Sequence, residues 1–411
     1  SYSVTGVQTC ALPIFFHLHG TRIASKPMKG TARRAPLPER DVEQARRLRA
    51  SGKERAENLM IVDMVRNDLG RIARPGSVRV PRLFAVERYP TVWQMTSTVE
   101  AHTDASLTDI FRATFPPASI TGAPKARTME IIRELECSPR RIYTGTIGFL
   151  APGRKAVFNV AIRTALLDRE TAVAEYGLGG GIVWDSDANA ELEETRTKAR
   201  ILHAAPRSFQ LLETLRWTPE EGFFLLELHL RRLARSAAYF GFDCDPAAVQ
   251  TALADAVAAQ TAGIKARLLL GRDGSIATGV GPLPAADPLP LRVGFAPEPV
   301  DVDDPFLYHK TTNREVYRRA AAACPECSDV ILHNASGEIT EATIANVFAE
   351  IDGVLCTPPV SCGLLAGTLR EWLMARGEVR ERVMTADDLR RSPRVLLGNS
   401  VRGLVPVALQ L

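Results

Sequence analysis

Gly177-Leu-Gly-Gly-Gly-Ile-Val-Trp-Asp-Ser-Asp-Ala-Asn-Ala-Glu-Leu-Glu-Glu-Thr-Arg-Thr-Lys198 decides how the first half of this chain is read. Glycines 179, 180 and 181 leave no side chain between the backbone and whatever lies beside it. Ten residues on, Glu191 and Glu194 open a predicted helix, and a spacing of three puts both carboxylates on one face. The same spacing recurs upstream in Lys53-Glu-Arg-Ala-Glu57, where Glu54 and Glu57 share a helix face. Two such pairs brought together would form a four-carboxylate oxygen site, suited to Mg²⁺ shared with an anionic substrate. Taken alone, each pair reads equally as a solvated helix face.

Working outward, the 411 residues suffice for two domains. A hydrophobic content of 45% and a charged content of 24% are those of an ordinary globular protein. The net charge of +4 gives no footprint for nucleic acid and only weakly favours an anionic small molecule. No run of 18 apolar residues occurs, so no membrane span is expected. Seven scattered cysteines fit a reducing cytoplasm. Cys324-Pro-Glu-Cys327 is a lone CxxC without a second pair, so neither metal nor redox use is expected of it.

Residues 1–14 connect to nothing downstream and read as a foreign start. Residues 15–203 then read as one domain and 204–411 as a second. In the first, Lys29 sits in a Pro/Gly-punctuated turn. One basic helix is predicted over 41–69, strands over 77–82 and 91–99, and a helix over 126–136. Thr121 and Lys125 stand at the entrance of that last helix, where backbone N–H groups and a cation suit a carboxylate or phosphate. Residues 141–150 and 155–168 read as an apolar hairpin. Arg163 on its second strand calls for an anionic partner held bidentately.

The motifs PMKGT, AENLMIVDMVRNDLGR, SITGAPKARTMEII, YTGTIGFL, NVAIRT and GLGGGIVWDS…ELEETRTKA follow one another over residues 25–202. In that order they resemble the chorismate-utilising enzymes, which include anthranilate synthase component I, aminodeoxychorismate synthase component I and isochorismate synthase. The resemblance implies a Mg²⁺ site at Glu54, Glu57, Glu191 and Glu194, with Glu57 and Glu194 nearest the metal. It implies Thr121, Tyr143, Arg163, Gly179 and Lys198 as holders of the substrate carboxylates and ring. Lys29 points within the family to aminodeoxychorismate synthase, since anthranilate synthases usually carry alanine there. On that resemblance the Lys29 amine attacks the chorismate ring, hydroxide leaves and ammonia enters at C4, with the ammonia supplied by a separate glutamine amidotransferase subunit. Gln94 stands where anthranilate-type members have histidine. Members of the family also carry a long N-terminal half ahead of the PMKGT-like motif. The expectation is therefore the C-terminal half of a two-layer α+β sheet fold with exposed apolar strands, and a weak or absent synthase activity.

The second domain shows a strand from Leu211, an amphipathic helix over 227–236, an Ala-rich helix over 246–261 and strands over 266–271 and 291–296. HLRRL, YHKTTNR, NASGEITEATIANVF, LLAGTLR and GNSVRGLVPV together resemble the class IV pyridoxal-phosphate family. That family includes branched-chain and D-amino-acid aminotransferases and aminodeoxychorismate lyase. The resemblance implies a D-amino-acid-aminotransferase-like fold and a possible homodimer through this domain. It implies Lys310 as the covalent holder of pyridoxal 5′-phosphate, and Glu341 as the partner of its ring nitrogen. Arg232, Thr368 and Leu369 fall where the family grips the phosphate. Ala345 replaces a frequent Ser or Thr, so one hydrogen bond of the family is expected to be missing. The two halves imply 4-aminobenzoate synthesis: chorismate is aminated, then pyruvate is eliminated from aminodeoxychorismate with Lys310 carrying the proton. The competing readings are a transaminase fused to a chorismate enzyme, an anthranilate synthase, and a non-catalytic first half that docks a partner.

Overall fold

The computed structural model describes residues 14–182, 184, 186–199, 208–284 and 290–410. The expected foreign start, up to residue 13, and most of the expected junction between the domains lie outside the described residues. The chain divides into two compact units, residues 1–34 with 41–205, and residues 35–40 with 206–411.

The first unit opens with three short strands, β1 (Ile14–His19), β2 (Arg22–Ser25) and β3 (Met28–Arg33). Helices α1 (Pro38–Ala50) and α2 (Gly52–Gly70) follow, so the single basic helix expected over 41–69 is in fact two. The break falls at Ser51, whose hydroxyl accepts from the Glu54 N–H and caps α2. Strands β4 (Arg79–Arg88) and β5 (Val92–His102) form a hairpin, and β5 is the hub of the sheet. Its other edge is shared, with β2 pairing residues 99–102 and β3 pairing residues 92–96. Pro27, which has no N–H to give a ladder, separates those two partners. Helices α3 (Leu107–Thr114), α4 (Ala118–Thr121) and α5 (Lys125–Leu135) precede strands β6 (Thr146–Ala151) and β7 (Lys155–Val160). The expected strand over 155–168 is broken at 161–164. Its second part becomes β8 (Ala165–Asp168), which pairs with β9 (Val173–Tyr176) as a separate ribbon. Arg163 lies in that break with a left-handed φ of 51°, so it does not point from a strand. Helix α6 (Ala188–Ala199) closes the unit.

The core of this unit packs Phe16, Ile23, Val99 and Ala156 from the sheet against Val62 and Leu69 of α2 and Ile110 of α3. Phe15, Phe16, Phe111 and Phe158 form an aromatic cluster with mostly tilted and edge contacts. Arg34 and Asp41 make a buried ion pair at 2.7 Å, and Trp93 Nε1 donates to the other carboxylate oxygen at 2.9 Å. β6 is an edge strand, and its Phe149 and Leu150 are 59% and 60% exposed.

The second unit has two sheets. Strands β10 (Leu211–Thr218), β11 (Gly222–Phe223), β12 (Ile264–Leu270) and β13 (Ile276–Pro282) form an antiparallel sheet in the order β11-β10-β12-β13. Helices α7 (Leu226–Phe240) and α8 (Pro246–Val257) pack on it through Leu233, Ala237, Val249 and Leu253. The rest comprises β14 (Leu291–Phe295), α9 (Glu315–Ala322), β15 (Asp329–His333), β16 (Ile339–Ala342), β17 (Asn346–Ile351), β18 (Val354–Thr357), α10 (Thr368–Ala375), β19 (Arg380–Glu381), α11 (Ala386–Arg391), β20 (Val395–Asn399) and β21 (Gly403–Leu409). Their order is β16-β15-β14-β21-β20-β17-β18-β19, and a further β16–β17 pairing closes six of them into a barrel. β14 runs parallel to both β15 and β21, so the barrel is mixed. Glu341 lies inside β16.

One sequence expectation changes here. Cys324 and Cys327 are joined as a disulfide, because the turn after α9 (Cys327 N–H to Cys324 O, 3.1 Å) stacks both sulfurs over Gly294. Among the described residues no helix is long and apolar enough to cross a membrane.

Candidate active sites

In the first unit, Lys29 sits on β3 beside an irregularity in the register with β5, where Gly30 takes a φ of 93°. Such a bulge re-aims the side chain beside it. Two amides, one buried and one partly buried, brace it: Asn58 Nδ2 donates to Lys29 O at 3.1 Å, and Gln94 Nε2 donates to Gly30 O at 2.7 Å. Gln94 thus holds the backbone of the lysine strand. Asn58 is fully buried, accepts from Ser97 Oγ at 2.6 Å, and was not singled out from sequence. Its signal was an amide placed directly after Glu57 in an otherwise apolar helix turn.

A cavity of about 750 Å³ collects most of the expected residues. Lys29, Glu54, Glu57, Tyr143, Arg163, Gly179, Glu191, Glu194 and Lys198 all line it. The glycine run explains how they come together. A Cβ on Gly177 would lie 2.3 Å from the Tyr143 ring, one on Gly179 2.9 Å from the Tyr143 hydroxyl, and one on Gly180 2.7 Å from Glu191 Oε2. One on Gly181 would lie 2.9 Å from Lys29 Nζ. The stretch therefore runs against Tyr143, Glu191 and Lys29 with room for hydrogen only.

Two of the acidic residues are bonded within the cavity. Lys198 Nζ contacts Glu194 at 2.8 Å and donates to Gly179 O at 3.0 Å, while Ser186 Oγ donates to Glu191 at 2.8 Å. Burial, then the nearby Glu57 charge, raises the Glu54 carboxyl, and Glu194 adds to the effect. Like charges drawn together in this way suit a divalent cation. Among the described residues, the only cluster of three ligand atoms within 4.8 Å is Cys324, Glu326 and Cys327, whose sulfurs are already bonded to each other. The four glutamates thus share a cavity without converging on one point.

Two expected anion-binding residues are placed otherwise. Thr121 lines a neighbouring cavity of about 440 Å³, which shares Tyr143 and Thr144 with the first. Lys125 Nζ is engaged by Asp68 at 2.7 Å and by Thr114 O at 3.1 Å, so its charge ties α5 to α2.

In the second unit, Lys310 follows a short 3-10 turn, and its segment is bonded to β10 on both sides. Leu212 N–H donates to Lys310 O and Thr312 N–H to Gln210 O, each at 3.0 Å. Burial, followed by the charge of Arg232, lowers the Lys310 ammonium to about 8. Burial pushes the Glu341 carboxyl up to about 7, although Tyr317, the Leu365 N–H, Lys310 and Arg314 all pull it down. Tyr317 Oη donates to Glu341 Oε1 at 2.7 Å, and Leu365 N–H donates to the same oxygen at 3.2 Å.

Arg232 binds Glu213 with two bonds, of 2.9 and 2.6 Å, and donates to Ala366 O at 3.3 Å. Glu213 also takes His229 Nδ1 at 2.7 Å, and His229 Nε2 meets Ser400 Oγ at 3.0 Å and Thr368 Oγ1 at 3.2 Å. Burial raises the Glu213 carboxyl, but Arg232 and His229 outweigh it and hold it down at about 2. Burial also lowers His229, so the ring is neutral. A carboxylate only accepts, so the proton sits on Nδ1 and Nε2 accepts from the two hydroxyls. Glu213, His229 and Ser400 were not picked out from sequence. A glutamate inside the apolar run Leu211–Leu215, and a histidine three residues before Arg232 on one helix face, were the available signals.

Thr368 begins α10, where free backbone N–H groups gather. Gly367 ahead of it is obligatory in this arrangement, since a Cβ there would fall 1.9 Å from Asn346 Oδ1. The Leu369 side chain is buried against Phe348 and Leu396, which leaves only its backbone to serve an anion. Ala345 also packs in the core. The donor set of a lowered-pKa lysine, an enclosed carboxylate, an arginine and a helix start fits pyridoxal 5′-phosphate.

The comparisons with known proteins agree with this division. Residues 13–204 match the family model described as chorismate binding enzyme, and residues 210–409 match that of amino-transferase class IV. Each unit thus matches one family: a chorismate-binding domain is followed by a class IV aminotransferase domain. The first domain is homologous to aminodeoxychorismate synthase component 1 of Salmonella typhimurium, with 48% identity over 192 residues, 46% of this chain and 42% of that protein. The chain thus spans less than half the length of this relative. A structure from Mesorhizobium loti assigned as an amino-acid aminotransferase is 39% identical and covers 49% of this chain and 100% of its own, with a TM-score of 0.47. That of 4-amino-4-deoxychorismate lyase from Pseudomonas aeruginosa is 22% identical and covers 49% and 82%, with a TM-score of 0.43.

Proposed function

We propose that this chain serves 4-aminobenzoate synthesis. Its first unit aminates chorismate to 4-amino-4-deoxychorismate, and its second eliminates pyruvate from that product. The observation that carries the reading is the cavity in which a lysine amine, Lys29, faces two carboxylate pairs and the cation Arg163. Mg²⁺ held by Glu57 and Glu194, with Glu54 and Glu191 beside them, would neutralise a substrate carboxylate. Arg163 would hold a second carboxylate bidentately. Lys29 Nζ bonds to the ring as the C4 hydroxyl leaves as water, and ammonia then bonds at C4 as the lysine is expelled. A glutamine amidotransferase subunit is the proposed source of that ammonia.

In the second unit Lys310, Glu341, Arg232 and Thr368 would hold pyridoxal 5′-phosphate, which supplies an electron sink when bound. Lys310 takes the proton from the amine-bearing ring carbon and returns one to the methylene of the departing enolpyruvate. The ring becomes aromatic and the balance is one 4-aminobenzoate and one pyruvate per substrate. A lysine lowered to about 8 suits both halves of that transfer near neutral pH.

The test supplies purified 4-amino-4-deoxychorismate and follows both products. Equal amounts of pyruvate and 4-aminobenzoate are expected, with Lys310→Ala inactive. Amino transfer to a 2-oxo acid without pyruvate release would replace the lyase reading by a transaminase.

A further inference from the structure

Glu341 stands in an environment that works against its charge. It is 5% exposed, and burial favours its neutral form. A carboxylate that is to keep a cofactor ring nitrogen protonated must stay ionised, because a neutral acid would not attract a pyridinium. Tyr317 meets this need from α9, seven residues after Lys310, with its hydroxyl 2.7 Å from Oε1. A neutral donor is well chosen chemically. It stabilises the anion without adding a positive charge that would repel the pyridinium.

The surroundings keep that phenol a donor. Its own proton is held well above the ordinary tyrosine range by burial and by Glu341, with Asp304 adding to the effect and Arg314 opposing it. The Arg314 guanidinium lies over the Tyr317 ring, 4.5 Å from its centre, and donates to Thr343 O. The Arg314 cation is thus turned onto the aromatic face and a backbone carbonyl. The remaining groups around Glu341 are the Leu365 N–H at 3.2 Å, Asn346 Nδ2 at 3.5 Å and the charge of Lys310.

We propose that Tyr317 is a positioning residue for the pyridoxal site: its phenol holds Glu341 as the anion and so fixes the proton on the cofactor's ring nitrogen. The proposal rests on the reading of Glu341 as the partner of that nitrogen. Its test uses the full chain loaded with pyridoxal phosphate ¹⁵N-labelled at the ring nitrogen. The nitrogen chemical shift is read at one pH for the wild type, Tyr317→Phe and Glu341→Gln.

The wild type is expected to give a pyridinium signal, and both variants to move toward the neutral pyridine value. For Tyr317→Phe the partition of the proton between nitrogen and carboxylate should change about tenfold or more, the size of one hydrogen bond to a charged group. An unmoved signal in Tyr317→Phe, with Glu341→Gln moved, overturns the role of Tyr317 and leaves the reading of Glu341 standing. If neither moves, both are overturned. A shift in Tyr317→Phe alone overturns the proposal too, since the phenol would then act by another route.

Should Tyr317→Phe fail to fold, 3-fluorotyrosine at 317 keeps the shape of the side chain. In the apo-protein its fluorine signal, followed from acid to neutral pH and beyond, should show one titration, the ionisation of Glu341, and should lose it when combined with Glu341→Gln. A fluorine signal with no titration that depends on Glu341 overturns the proposal.

Discussion

Lys310 carries the plainest consequence at the scale of a single residue. Its ammonium is lowered to about 8 from an ordinary value of 10.5, first by burial and then by Arg232. Only the neutral amine attacks an aldehyde. The apo-protein should therefore capture pyridoxal phosphate at a rate that climbs with pH and levels off above about 8. Stopped-flow absorbance across pH 6 to 10 would measure this. A rate still climbing steeply at pH 10 would return the lysine to its ordinary value and refute the account. Glu213 shows the opposite balance, since two nearby cations or donors overcome the same burial. Burial thus opposes the charge of both groups, and what faces each decides how far it is overcome.

Among the elements, the glycine strip beside Tyr143 and the bulge on β3 do most to shape the first cavity. Gly177→Ala would put a methyl group inside the Tyr143 ring, so either the ring or the strip must shift. We expect this variant to keep its circular dichroism spectrum while binding of a chorismate analogue weakens about tenfold or more, as misplacement by an ångström does in such sites. Unchanged affinity in calorimetry would show that the strip does not position Tyr143. What was legible in the sequence as local chemistry at short spacing was the two Glu-x-x-Glu pairs, whereas Lys29, Lys310 and Thr368 stood out through the family resemblances. What was not legible depends on pairing across distance. Asn58 matters because β3 passes above α2, and His229 because the turn at Ser400 reaches it across 171 residues. Helix α1–α2 was misread as one piece because a serine and a glycine inside a basic run look like surface polarity, whereas Ser51 is a cap. Lys125 looked like an anion binder because its partner, Asp68, lies 57 residues away.

For the molecule as a whole, each unit has its own core and its own candidate residues. The two sets should therefore fail separately. Lys310→Ala is expected to abolish the absorbance of the bound cofactor while leaving Mg²⁺-dependent binding of a chorismate analogue unaltered. Glu57→Gln with Glu194→Gln should weaken that binding by about tenfold or more through loss of hard anionic ligands, with the cofactor absorbance intact. Mg²⁺ dependence unchanged in the double variant would remove the metal site from the account.

The pair of backbone bonds that fastens the Lys310 segment to β10, one on the carbonyl of residue 310 and one on the amide of residue 312, also bears on how quickly a turnover can be completed. With its main chain pinned on either side, the lysine has only its four methylenes to swing on. When a substrate amine displaces it, the liberated amino group would stay tethered close to where it was. Its return is then governed by effective molarity and no longer by encounter, and anchored groups reach values on the order of 10⁵ M or more. Once the product has left, the tethered lysine would therefore recapture the cofactor before it could escape.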